Sequence, residues 1–200
     1  MQFLHTLIQV RSSMRNSRIA RNVAIATSVV VLAFFILLVT AKPRGERGIS
    51  TPLLGNPAPA VSSPLVGGGN FDLARRKGSW VVLNFFNSTC VPCRAEHPQL
   101  VAFEKNQSTQ DNGVELVTVV NDDSDAAVAA FFEKNGGDWP KVTDPDGAIA
   151  VAFGVAKVPE TWVIDPSGFV RLRIAGEVTN DFLSAKMAEL QRELAAPRKN

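Results

Sequence analysis

The stretch from Trp80 to Pro98, WVVLNFFNSTCVPCRAEHP, decides how this chain is read. Trp80–Phe86 is a mostly apolar run suited to a strand buried on both faces. A polar Asn-Ser-Thr turn leaves the strand. Cys90-Val-Pro-Cys93 then opens a helical pattern that continues to about Lys105, with Leu100, Val101 and Phe103 towards a core. Pro98 breaks the helical hydrogen bond to the Arg94 carbonyl and bends the helix. The two cysteines are the only ones in 200 residues.

A Cys-x-x-Cys pair at a helix start is a chemical device. First-turn N–H groups point at the N-terminal sulfur, and the helix dipole favours negative charge there. The thiolate fraction of Cys90 therefore rises. Cys93, a turn later, is within bridging distance and can attack a mixed disulfide on Cys90. Three other uses of the pair compete. Structural zinc needs about four ligands, and the only histidines are His5 and His97. An inert disulfide across so short a loop removes little chain entropy. Two unpaired core cysteines are the third, and would be odd in a domain outside the reducing cytoplasm.

Working outward, strand and helix signals alternate. Ala60–Ser62 and Phe71–Leu73 flank Gly67-Gly-Gly-Asn70, a hairpin turn. Val114–Val120 is the next strand. Ser124 caps a helix through Phe132. Val142-Thr143 forms a short strand, Asp144-Pro-Asp-Gly147 a turn, and Ala148–Phe153 a short helix. Thr161–Ile164 and Phe169–Ile174 flank Asp165-Pro-Ser-Gly168 as a hairpin. Thr179 or Asn180 caps a last helix, Phe182–Leu194. The order implies an α/β domain around a mixed sheet.

Towards the N-terminus, Val23–Ala41 carries no charged residue. As a helix it would be about 28 Å long, close to the hydrocarbon thickness of a bilayer. Arg11, Arg15, Arg18 and Arg21 precede it, and no acidic residue stands among the first 42. That bias favours a cytoplasmic N-terminus and an exported C-terminal part. A cleaved signal peptide ending near Ala41 is the rival, but the apolar run is longer than the usual signal core. The reading divides the chain into a basic cytoplasmic tail (1–22), a transmembrane signal-anchor (23–41), a Pro/Gly-rich linker (42–57) and a folded domain (58–196). The part beyond the span is net acidic, which argues against nucleic acid as a partner.

Pro98 stands five residues after Cys93, and Lys157-Val-Pro-Glu-Thr-Trp162 sits just before a strand. With Cys-Arg-Ala-Glu-His-Pro and Val-Pro-Glu-Thr-Trp-Val-Ile-Asp, the chain resembles the membrane-anchored TlpA/ResA/CcmG group from Leu53 to Leu194. These are extracytoplasmic thiol–disulfide oxidoreductases of thioredoxin-like fold, many serving cytochrome c maturation. The resemblance implies a central mixed sheet flanked by helices, with an N-terminal hairpin and a preceding transmembrane helix. It makes Cys90 the nucleophile and Cys93 the resolving thiol. Pro159 becomes a cis-proline facing the pair, leaving the Val158 backbone to pair with substrate. Glu96 matches the group's active-site acid, half-buried beneath the pair. Glu160 matches a position in the cytochrome c branch that shapes substrate choice; a surface loop charge is the alternative. Thr89 stands where the group usually has Trp, and Asn84 where cytoplasmic thioredoxins have a buried Asp. His97 reads as a helix-surface residue.

The implied activity is disulfide reduction in exported proteins, apocytochrome c among them, with a membrane electron donor of DsbD/CcdA type. No cofactor beyond the Cys90–Cys93 disulfide is implied. A thiol peroxidase on the same fold would want Pro and Thr where Leu83 and Asn87 stand. A copper or thiol-binding chaperone of this fold tends to wider cysteine spacing and a distal His.

Overall fold

The computed structural model describes residues 20–36, 51–110 and 113–196. The chain divides into two units, Met1–Pro43 and Arg44–Asn200. In the first, α1 covers 20–36 and is exposed along its whole length, apolar residues Val23, Ile25, Leu32 and Phe35 included. Among the described residues no helix is long and apolar enough to cross a membrane. Residues 37–41 of the expected span lie outside the described residues. So do 1–19 of the expected tail and 42–50 of the expected linker.

In the second unit, strand runs separated by capped helices fold as their order predicts. A hairpin of β1 (Ser62–Pro64) and β2 (Asn70–Asp72) comes first. The central sheet holds β3 (Val81–Phe86), β4 (Glu115–Asn121), β5 (Lys141–Asp144), β6 (Glu160–Ile164) and β7 (Val170–Ala175). Its order is β5-β4-β3-β6-β7, with β3, β4 and β5 parallel and β6 and β7 antiparallel to their neighbours. Every residue of β3 is buried, as its apolar run requires of a central strand covered on both faces.

The pleat sends alternate β3 residues to opposite faces. Val82 and Phe86 pack with α2 (Val91–Ser108), α3 (Asp125–Asn135) and α5 (Asn180–Ala195). Val81, Leu83 and Phe85 pack on the other face with Phe71, Trp162 and α4 (Ala148–Phe153). Helix starts follow the expected chemistry. Ser124 accepts the Ala127 N–H at 3.2 Å, and Thr179 accepts the Phe182 N–H at 3.3 Å. Such caps contribute about 1 kcal/mol each.

Two differences from the sequence reading have clear causes. The end of the expected linker is docked: the Gly55 N–H donates to the Val170 carbonyl, the Val170 N–H donates to the Asn56 carbonyl, and Leu53 and Leu54 pack against the α4-side core. The first hairpin strand is Ser62–Pro64 rather than Ala60–Ser62, as its register against Asn70–Asp72 sets it.

Candidate active site

Strand β3 ends at Phe86, and residues 87–89 carry the chain to the first turn of α2. Cys90 is the N-cap, its Sγ 3.2 Å from the Cys93 N–H. The two cysteines form a disulfide with Cα atoms 5.3 Å apart. Cys93 is fully buried; Cys90 is half-buried. In the dithiol state the helix N-terminus therefore stabilises a thiolate on the more accessible sulfur.

The loop before β6 closes the site. The Val158–Pro159 bond is cis, and Cys90 Sγ lies 3.8 Å from the Val158 carbonyl oxygen. Thus Val158, with cis-Pro159 next to it, stands against the disulfide although some seventy residues separate it from Cys90 in sequence.

Thr89 is exposed, and its backbone N–H and hydroxyl both donate to Asn87 Oδ1, at 2.8 and 2.7 Å. The Asn87 amide in turn donates to the Asn121 and Asp122 carbonyls, and the Ser88 N–H donates to Asp123. Arg94 donates to the Ser88 carbonyl and lies over the Phe131 ring. The loop after β4 thus braces the approach to Cys90.

Glu96 is deeper than the half-buried position expected, at 1% exposed. It lies one turn past Cys93. Oε1 accepts from Asn84 Nδ2 at 2.8 Å and Oε2 from the Val178 N–H at 3.0 Å. Burial pushes its pKa up to about 7; the two hydrogen bonds pull it down and the Glu177 charge adds a small upward push. Glu96 therefore exchanges a proton near neutral pH, a property suited to thiol chemistry.

Two readings are corrected. His97 is not on the helix surface. It is buried among Phe86, Phe131, Phe132 and Trp139, with Nε2 3.0 Å from the Gly136 carbonyl. Burial lowers its pKa, outweighing the hydrogen bonds to the Gly136 and Asn135 backbones. The signal was the paired aromatics on α3, which need a partner on α2. Glu160 is not a surface loop charge. It is 1% exposed, bound by Trp162 Nε1 at 2.8 Å and by two Arg173 nitrogens at 3.0 Å each. Being two residues from Trp162 on β6, it shares the α4-side face, across the sheet from α2.

Fold and site together define a thiol–disulfide oxidoreductase of thioredoxin-like fold. The Redoxin family model matches residues 53–189, and the chain belongs to that family. It is 35% identical to the thiol:disulfide interchange protein HelX of Rhodobacter capsulatus over 147 residues, covering 72% of this chain and 80% of that protein. It is 31% identical to the thiol-disulfide oxidoreductase ResA of Bacillus subtilis over 155 residues, covering 78% and 84%. A solved thiol:disulfide interchange protein of the thioredoxin family from Chlorobium tepidum shares 27% identity at a TM-score of 0.60, over 70% of this chain and 99% of that one. These findings support the resemblance to the TlpA/ResA/CcmG group.

Proposed function

We propose that this enzyme is a membrane-anchored disulfide reductase that acts outside the cytoplasm on exported proteins, apocytochrome c among them. The observation that carries the reading is the asymmetry of the pair. The Cys90 sulfur lies half-buried beside Val158 and cis-Pro159, whereas Cys93 is buried above Glu96. A substrate disulfide meets Cys90 first.

Cys90 thiolate attacks one substrate sulfur, and the other leaves as a thiolate that takes up a proton. Cys93 loses its proton, with Glu96 as the acceptor, and attacks Cys90 Sγ. The mixed disulfide breaks and the second substrate thiol departs. Two electrons have passed to the substrate and Cys90–Cys93 is oxidised. A membrane donor of DsbD/CcdA type returns two electrons to the pair. No further cofactor is required. The Val158 backbone and Pro159 form the substrate edge, Thr89 flanks it, and Glu160 acts on it through the strand that follows Pro159.

Membrane attachment rests on the uncharged run 23–41, the arginines before it, and the apolar side chains exposed around α1, which call for a nonpolar cover. The cytochrome c step rests on the resemblance to the TlpA/ResA/CcmG group. A Cys93→Ala variant in the native host tests the reading: it should accumulate dithiothreitol-sensitive adducts of Cys90 with exported proteins carrying paired cysteines. A host in which no adduct forms contradicts it.

A further inference from the structure

Asn84 lies mid-way along β3, fully buried, in register with Thr118 on β4 and Thr161 on β6. Its Nδ2 donates to Glu96 Oε1 at 2.8 Å and to Thr161 Oγ1 at 3.2 Å. Its Oδ1 is equally buried and has no hydrogen-bond partner among the described residues. Both donor positions of this amide are thus engaged and its acceptor is idle. A buried polar atom without a partner is uncommon in a folded protein and calls for a reason.

The reason lies in what Glu96 needs. An ionised carboxylate only accepts; a protonated one also carries an O–H that must be accepted. Glu96 passes between these forms near neutrality. Of the groups around it, the Val178 N–H can only donate. Glu177, on the connection from β7 to α5, faces it as a negative charge. Strands β3 and β6 present uncharged Asn84 and Thr161. On α2 itself Cys93 lies one turn earlier, and the neighbouring His97 ring is turned to Gly136. Asn84 is the neighbour bonded to the carboxylate that carries a donor and an acceptor on one rotor.

We infer that Asn84 is a positioning residue serving both protonation states of Glu96. Its Nδ2 donates to the carboxylate. After a half-turn of the amide about Cβ–Cγ, its Oδ1 accepts the O–H of the carboxylic acid. In the second arrangement the Thr161 hydroxyl donates to the same Oδ1. Only the Glu96 O–H bond is made or broken, and no electrons move. Hydrophobic residues at position 84 would fill the space but serve neither state; an aspartate would place a second negative charge against Glu96. The inference deepens the reading of Glu96 as the proton acceptor and rests on it.

The test follows the full-length, oxidised protein by NMR across the titration of Glu96. The side-chain amide signals of Asn84 should move with the same midpoint as the Glu96 carboxyl carbon, and this movement should vanish in Glu96→Gln. Asn84→Leu removes the partner of both forms together, so the Glu96 midpoint should move by less than about one unit, under tenfold in its ionisation constant. Thr161→Val should preserve the Asn84 titration with a smaller shift of midpoint, and it keeps the test open where Asn84→Leu does not fold. Asn84 signals that stay flat through the Glu96 midpoint overturn the inference. So does a rise of more than about one unit in Asn84→Leu, the result expected of a donor that serves the ionised form alone. Turnover is read separately: a pH–rate profile that does not follow the Glu96 midpoint removes Glu96 from the thiol chemistry while the Asn84–Glu96 coupling stands.

Discussion

Glu96 and Glu160 are buried to the same extent, on opposite faces of one sheet, and they are handled in opposite ways. Glu160 meets a guanidinium, with Arg173 Nε and Nη2 on its two oxygens and the Trp162 ring under the cation at 5.2 Å. Among the described residues Glu96 meets only neutral donors, an amide and a backbone N–H. A cation repays part of the cost of burying a carboxylate, and neutral donors repay less. The first arrangement makes a fixed structural pair beside the proline loop. The second leaves a proton exchangeable beneath the cysteines. Burial alone therefore does not mark a functional acid; what compensates the charge does.

The largest effect is expected where the compensation is removed outright. Arg173→Ala strands Glu160 as an unpaired buried carboxylate and should cost about 3–5 kcal/mol, read by urea unfolding near neutral pH. Removing both partners together, Arg173→Met with Glu160→Gln, should recover most of that loss. A single variant as stable as the parent would mean the two glutamates are not handled differently.

Next comes the pH dependence of stability. The folded protein holds the Glu96 proton more tightly than the unfolded chain does, since its pKa is raised from 4.5 to about 7. The stability contributed by this group is therefore greatest below pH 4.5. It falls as the pH rises to about 7 and is level above. Order-of-magnitude linkage puts the loss at about 3 kcal/mol. Unfolding curves of the oxidised protein at both ends of that window should show a drop that Glu96→Gln abolishes. Equal slopes in parent and variant would contradict the assignment.

A smaller change is expected at His97. Replacing it with Phe keeps an aromatic against Phe131 and Phe132 but leaves the Gly136 carbonyl without its Nε2 partner, about 1–3 kcal/mol by thermal or urea unfolding. The smallest is Glu177→Gln. Removing this exposed charge should lower the Glu96 midpoint by well under one unit, and added salt should erase most of the difference.

Much of the fold was legible because its signals are local. The apolar run of β3, the Ser124 and Thr179 caps, the Asp165-Pro-Ser-Gly168 turn and the six residues of α4 all fell close to their expected places. Cys90, Cys93 and Pro159 were legible as a motif, and the sheet topology brings Pro159 to the pair by setting β6 beside β3. What the sequence hid was pairing between distant residues. Nothing near Glu160 announces Arg173, which meets it only because β7 lies in register beside β6. Nothing near Glu96 announces Val178, whose N–H comes from the connection between β7 and α5, 82 residues further along the chain. His97 is hidden for a similar reason: its polarity suggests solvent, but the aromatics that enclose it lie on β3, on α3 and just before β5. Thr89 was visible as a departure from the family pattern, yet its binding to Asn87 and the bracing by Asp123 needed the folded loops.

As a disulfide reductase, the proposed role, the Cys90–Cys93 pair must donate electrons to substrate disulfides. The measurement that tests this most directly is the reduction potential of the pair, obtained by equilibrating the protein against graded glutathione or dithiothreitol buffers. A reductase requires a value well below about −200 mV. A value near about −120 mV, that of a strong dithiol oxidant, would contradict it.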